Sequence, residues 1–262
     1  MHLAHGIGEH ALRYQYVAER LNRAGYAVYA DDHRGHGQTG LDQAGGDPAK
    51  LGRQGPGGMR ATERGIAAVG RAARAAHPGL PVAFVGHSWG SLLGQRLLNA
   101  DATAYDAWVL TGTAYRMPGS MNGGDLAARH HVDGGSGFEW LSRDEAVGVA
   151  FAEDPLTFAK HTVRVLGIAD GLRLFGRPAR GLPAATPLLI LEGEDDSLGG
   201  GTSAERLAEA YRTRSGLTDV TLRVYPDARH EVFAELNKDE VIGDLIDWLG
   251  TRLPVSSTDA VA

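Results

Sequence analysis

The sequence predicts an α/β fold: a mostly parallel sheet with helices on both faces, interrupted once by a helical insertion. Three observations carry that prediction. Short apolar runs alternate with longer segments of helical periodicity. The runs, such as Pro81-Val82-Ala83-Phe84-Val85 and Pro187-Leu188-Leu189-Ile190-Leu191, are continuous, as strands buried on both faces require. One stretch, residues 112–186, breaks the rhythm and carries no strong strand signal.

The first helix is expected over 13–24, where Tyr14, Val17, Ala18, Leu21 and Ala24 recur at helical spacing and Gly25 can end it. Residues 26–30 read as a buried strand ending at Asp31-Asp32. Residues 33–58, rich in glycine and polar side chains, read as loop. A helix is expected over 59–76, with Ile66, Val69 and Ala73 inward, then a strand at 81–85 and a helix near 89–99. Further strands are expected at 107–111, 187–191 and 220–225, and further helices near 203–214 and 239–252. The insertion starts glycine-rich and continues into helix-like pieces at 143–153, 155–166 and 168–175. Its Phe138, Trp140, Leu141, Phe151, Phe158 and Phe175 are too apolar to leave in water, so it reads as a cap rather than a disordered loop. The division is therefore a core of 1–111 and 187–253, a cap of 112–186 and a flexible polar tail of 254–262.

Composition narrows the function. The chain has 262 residues, a net charge of −6 and no cysteine. Thiolate nucleophiles, thiolate metal sites and disulfides are excluded. The two charge signs are interspersed, with nothing resembling a basic groove for nucleic acid. No apolar run approaches a membrane span, and Met1–His5 lacks the basic start and apolar stretch of a signal peptide, so a cytoplasmic location is expected.

The strand at 81–85 runs into Gly86-His87-Ser88-Trp89-Gly90. A buried strand entering G-x-S-x-G holds its serine on a sharp turn with a helix starting beneath it. The pentapeptide is short enough to arise by chance, so its context decides. A serine hydroxyl needs a base to take its proton, and the base needs an orienting acid. Acid candidates follow the strand at 187–191 in Glu192-Gly193-Glu194-Asp195-Asp196; Asp196 is preferred and Asp195 is the alternative. His230 lies in the loop after the last strand and is the only histidine beyond His161. Oxyanion donors are expected from the backbone N–H of Trp89, at a helix N-terminus, and from that of Ile7 in His5-Gly6-Ile7-Gly8-Glu9-His10.

These motifs together resemble the α/β-hydrolase superfamily, and within it the monoacylglycerol lipase, lysophospholipase and serine aminopeptidase S33-like group. The resemblance extends to Asp32-His33-Arg34-Gly35-His36-Gly37, Leu141-Ser142-Arg143-Asp144, Asp154-Pro155-Leu156 and Ala228-Arg229-His230-Glu231, and covers essentially the whole chain. It implies the α/β-hydrolase fold, with Ser88 as nucleophile, Asp196 as acid, His230 as base, and Ile7 and Trp89 as oxyanion donors. It also implies a small acyl ester substrate, no cofactor, and membrane-surface contact only through the cap.

Two departures from the family pattern stand out. Where the family has a smaller or more flexible residue such as Met, this chain has Trp89, whose ring is expected to narrow the pocket. The family also has several strands before its His-Gly loop, whereas only Met1–Ala4 precede His5. Those strands are expected to lie upstream of Met1 or to be missing from one sheet edge, leaving a neighbouring strand exposed. The competing readings are an S33-type aminopeptidase and a non-catalytic binding protein on a hydrolase fold. A metal site at His5, His10, His33 and His36 lacks a recognised ligand spacing, and an aspartate-nucleophile enzyme is disfavoured by Ser88.

Overall fold

The structure is a computed structural model and describes residues 1–159 and 162–255. Six strands form one all-parallel sheet: β1 (His2–Ala4), β2 (Tyr29–Ala30), β3 (Ala83–His87), β4 (Ala107–Thr111), β5 (Leu188–Gly193) and β6 (Val220–Tyr225). Their spatial order is β2-β1-β3-β4-β5-β6. The helices are α1 (Gln15–Arg23), α2 (Gly37–Ala44), α3 (Gly58–Ala76), α4 (Trp89–Ala100), α5 (Glu145–Glu153), α6 (Thr162–Leu174), α7 (Gly200–Ala210) and α8 (Lys238–Arg252).

Successive side chains of a strand point to opposite faces, and the buried residues sort accordingly. Phe84, Trp108, Leu110, Leu188 and Ile190 pack on one face with Met59 and Ile66 of α3, Leu93 of α4 and Leu207 of α7. Ala83, Val85, Ala107, Val109, Leu189 and Leu191 pack on the other with Val17 and Leu21 of α1 and Ile242, Leu245 and Leu249 of α8. Each such fully buried leucine or isoleucine contributes about 1.5–3 kcal/mol. The apolar runs are continuous because both faces are covered.

Several boundaries differ from expectation. The strand expected at 26–30 is reduced to Tyr29 and Ala30. Its neighbour β1 pairs at His2 with Tyr29 and at Leu3 with Ala30, so Tyr26 and Ala27 have no ladder residue opposite them. The loop expected over 33–58 contains α2, whose propensity is poor but whose tertiary contacts hold it. Asp32 accepts the Gln38 N–H at its start, and Gln43 accepts the Gly35 N–H. At Gly40 a Cβ would stand 2.7 Å from the Gly35 carbonyl oxygen, so only glycine allows this approach. β3 runs two residues further than expected, to His87. The helix expected at 203–214 starts at Gly200 and closes in a π-type turn over Tyr211–Ser215.

In the insertion, the helix expected at 143–153 is α5, started by Asp144, which accepts the Ala146 N–H. Of the helix expected over 155–166, residues 155–159 are turn and irregular backbone, residues 160 and 161 lie outside the described residues, and helix resumes at Thr162. Gly167, at φ +73°, kinks α6 between the two pieces expected on either side of it. The tail expected from 254 is anchored at its start: Val255 packs on Gly25, and Tyr26 Oη donates to the Leu253 carbonyl at 3.2 Å. Residues 256–262 lie outside the described residues. No helix among the described residues is long and apolar enough to cross a membrane.

Candidate active site

The C-terminal ends of β1, β3, β5 and β6 converge on one spot, the end of a parallel sheet where ligands bind. At the end of β3, Ser88 takes φ +51° and ψ −121°, a strained conformation for a residue with a side chain. Its neighbours explain why. A Cβ on Gly90 would collide with the Ala4 carbonyl and stand 2.6 Å from that of His5. A Cβ on Gly86 would stand 2.7 Å from the Gly90 carbonyl oxygen. The strand, the turn and α4 are thus packed backbone against backbone, and the serine Oγ is pushed out toward the cavity.

His230 Nε2 lies 2.8 Å from Ser88 Oγ, and His230 Nδ1 lies 2.8 Å from Asp196 Oδ2. The second oxygen of Asp196 accepts the Leu198 N–H at 2.7 Å. An ionised carboxylate has no proton to give, so Nδ1 carries the hydrogen and Nε2 is free to accept from Ser88. Burial pushes Asp196 up, but the charge and hydrogen bond of His230 outweigh it and hold the acid below its usual range. Burial pulls His230 down, and the Asp196 carboxylate more than reverses this, leaving the imidazole above its ordinary value. Asp195, the alternative acid, turns away. Its side chain is 34% exposed and pairs with Arg129.

Ile7 follows Gly6, where a Cβ would touch the Ser88 Cβ at 3.0 Å. Trp89 opens α4. Neither backbone N–H donates to another backbone group among the described residues. The Trp89 ring does not narrow the cavity as expected. It is buried behind the site, stacked on His36 at 5.3 Å and edge-on to His33 at 5.9 Å. The N-terminal histidines are packing residues around the β1 end: His5 stacks on His33 at 4.0 Å, and its Nε2 accepts the His33 N–H.

A cavity of about 430 Å³ opens above Ser88, within the ~300–1,000 Å³ of small-molecule sites. Gly6 and Ile7 line it from the core, and Leu126, Phe138, Trp140, Leu141, Phe151 and Phe158 from the β4–β5 connection. Trp140 lies against the His230 ring at 4.9 Å, and the Trp140 and Leu141 carbonyls accept the N–H groups of His230 and Glu231. On the other side Phe158 N–H donates to Gly8 O at 2.9 Å, and His10 Nε2 lies 2.8 Å from Asp154 Oδ2. The connection is therefore fastened to both loops of the site.

Sequence reasoning missed the structure behind these loops. Glu9 accepts from the Gly6 N–H at 2.6 Å and the Tyr14 hydroxyl at 2.7 Å, while Arg13 donates to Glu9 and, with both terminal nitrogens, to Glu231. This buried network joins the loop of Ile7 to the loop of His230. The i,i+4 spacing of Glu9 and Arg13 was a signal; the tie to Glu231 had none.

Residues 1–237 match the family model described as Serine aminopeptidase, S33. The chain belongs to this family of hydrolases. The chain is 32% identical to a monoacylglycerol lipase of Mycolicibacterium smegmatis, over 96% of this chain and 88% of that protein. It is 26% identical to the monoglyceride lipase of Rattus norvegicus, over 97% and 83%. The fold is that of the α/β hydrolases. A thermostable carboxyl esterase from Bacillus coagulans superposes with a TM-score of 0.82 at 22% identity, covering 96% of this chain and 89% of that one. A monoglyceride lipase variant from Saccharomyces cerevisiae superposes with a TM-score of 0.71 at 19% identity, covering 96% and 86%.

Proposed function

We propose that this chain is a serine hydrolase that cleaves carboxylic esters through an acyl-enzyme, with a monoacylglycerol or lysophospholipid-like ester as substrate. The observation that carries the reading is the unbroken hydrogen-bond relay Ser88–His230–Asp196 at the floor of an apolar cavity. His230 takes the Ser88 proton as Oγ attacks the ester carbonyl. The Ile7 and Trp89 N–H groups receive the developing oxyanion. His230, now an imidazolium held by Asp196, protonates the leaving alcohol. Water then attacks the acyl-enzyme with the same histidine as base.

Residues 112–186 serve as the cap in this reading, with their aromatic side chains receiving the acyl chain. Ile168 and Leu172, one turn apart and exposed on α6, support contact with a membrane surface through the cap. The ester reading is favoured over the aminopeptidase one by the carboxylates that line the cavity. A free amino terminus needs an unpaired acid, and two of the three carboxylates that line the cavity, Glu9 and Glu231, are committed to Arg13.

A fluorophosphonate probe tests the proposal. The parent protein labels and Ser88→Ala does not. Nitrophenyl esters of graded chain length are turned over, and aminoacyl anilides are not. A folded parent that fails to label would support the non-catalytic reading, and preferential anilide cleavage would support the aminopeptidase.

A further inference from the structure

One buried acid has no part in the mechanism above. Glu192 sits near the end of β5, fully buried, four residues before Asp196. Its Oε2 accepts the Thr113 N–H at 2.7 Å. Its Oε1 is buried and has no N–H or O–H partner among the described residues. The charged group acting on it is the Asp196 carboxylate.

Two ionised carboxylates in such a place would repel each other with little solvent to screen them. Asp196 is the one equipped to keep its charge, because His230 Nδ1–H and Leu198 N–H both donate to it. Burial, and then the Asp196 charge, drive Glu192 well above the ordinary carboxyl range. A neutral carboxyl has a hydroxyl to give, and a carboxylate with two donors still has lone pairs to receive it. A hydrogen bond from the Glu192 carboxyl to Asp196 would satisfy both the orphaned Oε1 and the remaining lone pairs of Asp196.

We propose that Glu192 is a positioning residue: as a carboxylic acid it donates a hydrogen bond to Asp196 and holds that carboxylate toward His230. The inference rests on Asp196 being the triad acid. Glu192 touches neither substrate nor reacting atoms and transfers no proton. It fixes the rotamer of Asp196 from behind, while the Thr113 backbone at the end of β4 fixes Glu192.

Two variants and one spectrum test this. In Glu192→Gln the amide oxygen can accept from Thr113 and the amide N–H can donate to Asp196. Glu192→Leu removes both functions at similar size. With p-nitrophenyl butyrate as probe, Glu192→Gln keeps kcat within about threefold of the parent, whereas Glu192→Leu loses at least about tenfold in kcat with little change in KM. A Gln variant as impaired as the Leu variant would overturn the proposal. The infrared difference spectrum between parent and Glu192→Gln, taken at mildly alkaline pH, shows the carbonyl band of one protonated carboxyl. A difference showing only ionised carboxylate overturns the proposal whether or not the Leu variant folds. Buried Glu9 is common to both proteins and cancels. Repeating the spectrum in a Ser88→Ala background reads Glu192 without turnover, so its outcome is independent of whether the catalytic reading stands.

Discussion

Replacing Asp196 by Asn, beside Asp195 by Asn as the matched control, separates a relay from an acidic loop. In the proposed transition state His230 is an imidazolium, its Nδ1 2.8 Å from Asp196 Oδ2, with both side chains at most 2% exposed. Charge centres about 4 Å apart at an effective dielectric of about 20 attract by about 4 kcal/mol, or about 10³ in rate. The Asn amide can also donate, which favours the wrong imidazole tautomer and carries the loss toward about 10⁴ in kcat. Asp195 is a third exposed and faces Arg129, away from His230, so Asp195→Asn changes kcat by no more than about twofold. The assay is kcat on a nitrophenyl ester, with circular dichroism to show that both variants fold. A folded Asp196→Asn protein within tenfold of the parent, or a larger loss in Asp195→Asn, would refute the assignment.

Three further outcomes are expected. The acid limb of kcat/KM has its midpoint above 6.5, because His230 must be neutral to accept the serine proton and Asp196 raises it above that ordinary value. Activity is lost as pH falls through that midpoint, and a pH–rate profile with its midpoint below 6.5 contradicts the structure. Gly90→Ala abolishes activity and lowers the melting temperature, since the new Cβ meets the backbone of Ala4 and His5, which has no rotamer to yield. A soluble variant with parental Tm and kcat would show that this packing is looser than described. Arg13→Met leaves Glu9 and Glu231, both buried, without their cation and costs about 3–5 kcal/mol. Urea titration measures this, and a loss under 1 kcal/mol would mean that water replaces the guanidinium.

Much of the fold was legible because it is written in local pattern. The strands at 83–87, 107–111, 188–193 and 220–225 overlap the apolar runs, and α3, α4 and α8 match the helices expected over 59–76, 89–99 and 239–252. α2 was not legible, because its helix depends on Asp32 at its start and on the close approach of Gly35 to Gly40. The strand at 26–30 was overcalled because a run of apolar residues does not make a ladder without a neighbour. The placement of the Trp89 ring was misread for a similar reason: its partners His33 and His36 are distant in sequence.

Sequence alone determined that Ser88, an acidic turn holding Asp195 and Asp196, and His230 follow one another in that order, because a serine on a strained turn demands glycines beside it and the loops after parallel strands carry candidate partners. It also placed Ile7 and Trp89 at the chain positions where unpaired N–H groups occur. Only the tertiary structure decided which of Asp195 and Asp196 faces His230, since adjacent residues in a turn point in different directions. It alone brought Glu192 behind Asp196 and joined Glu9, Arg13 and Glu231 into one network. Hydrogen bonds and desolvation act over a few ångströms of space, and residues from four different strand ends reach that range only once the sheet is assembled.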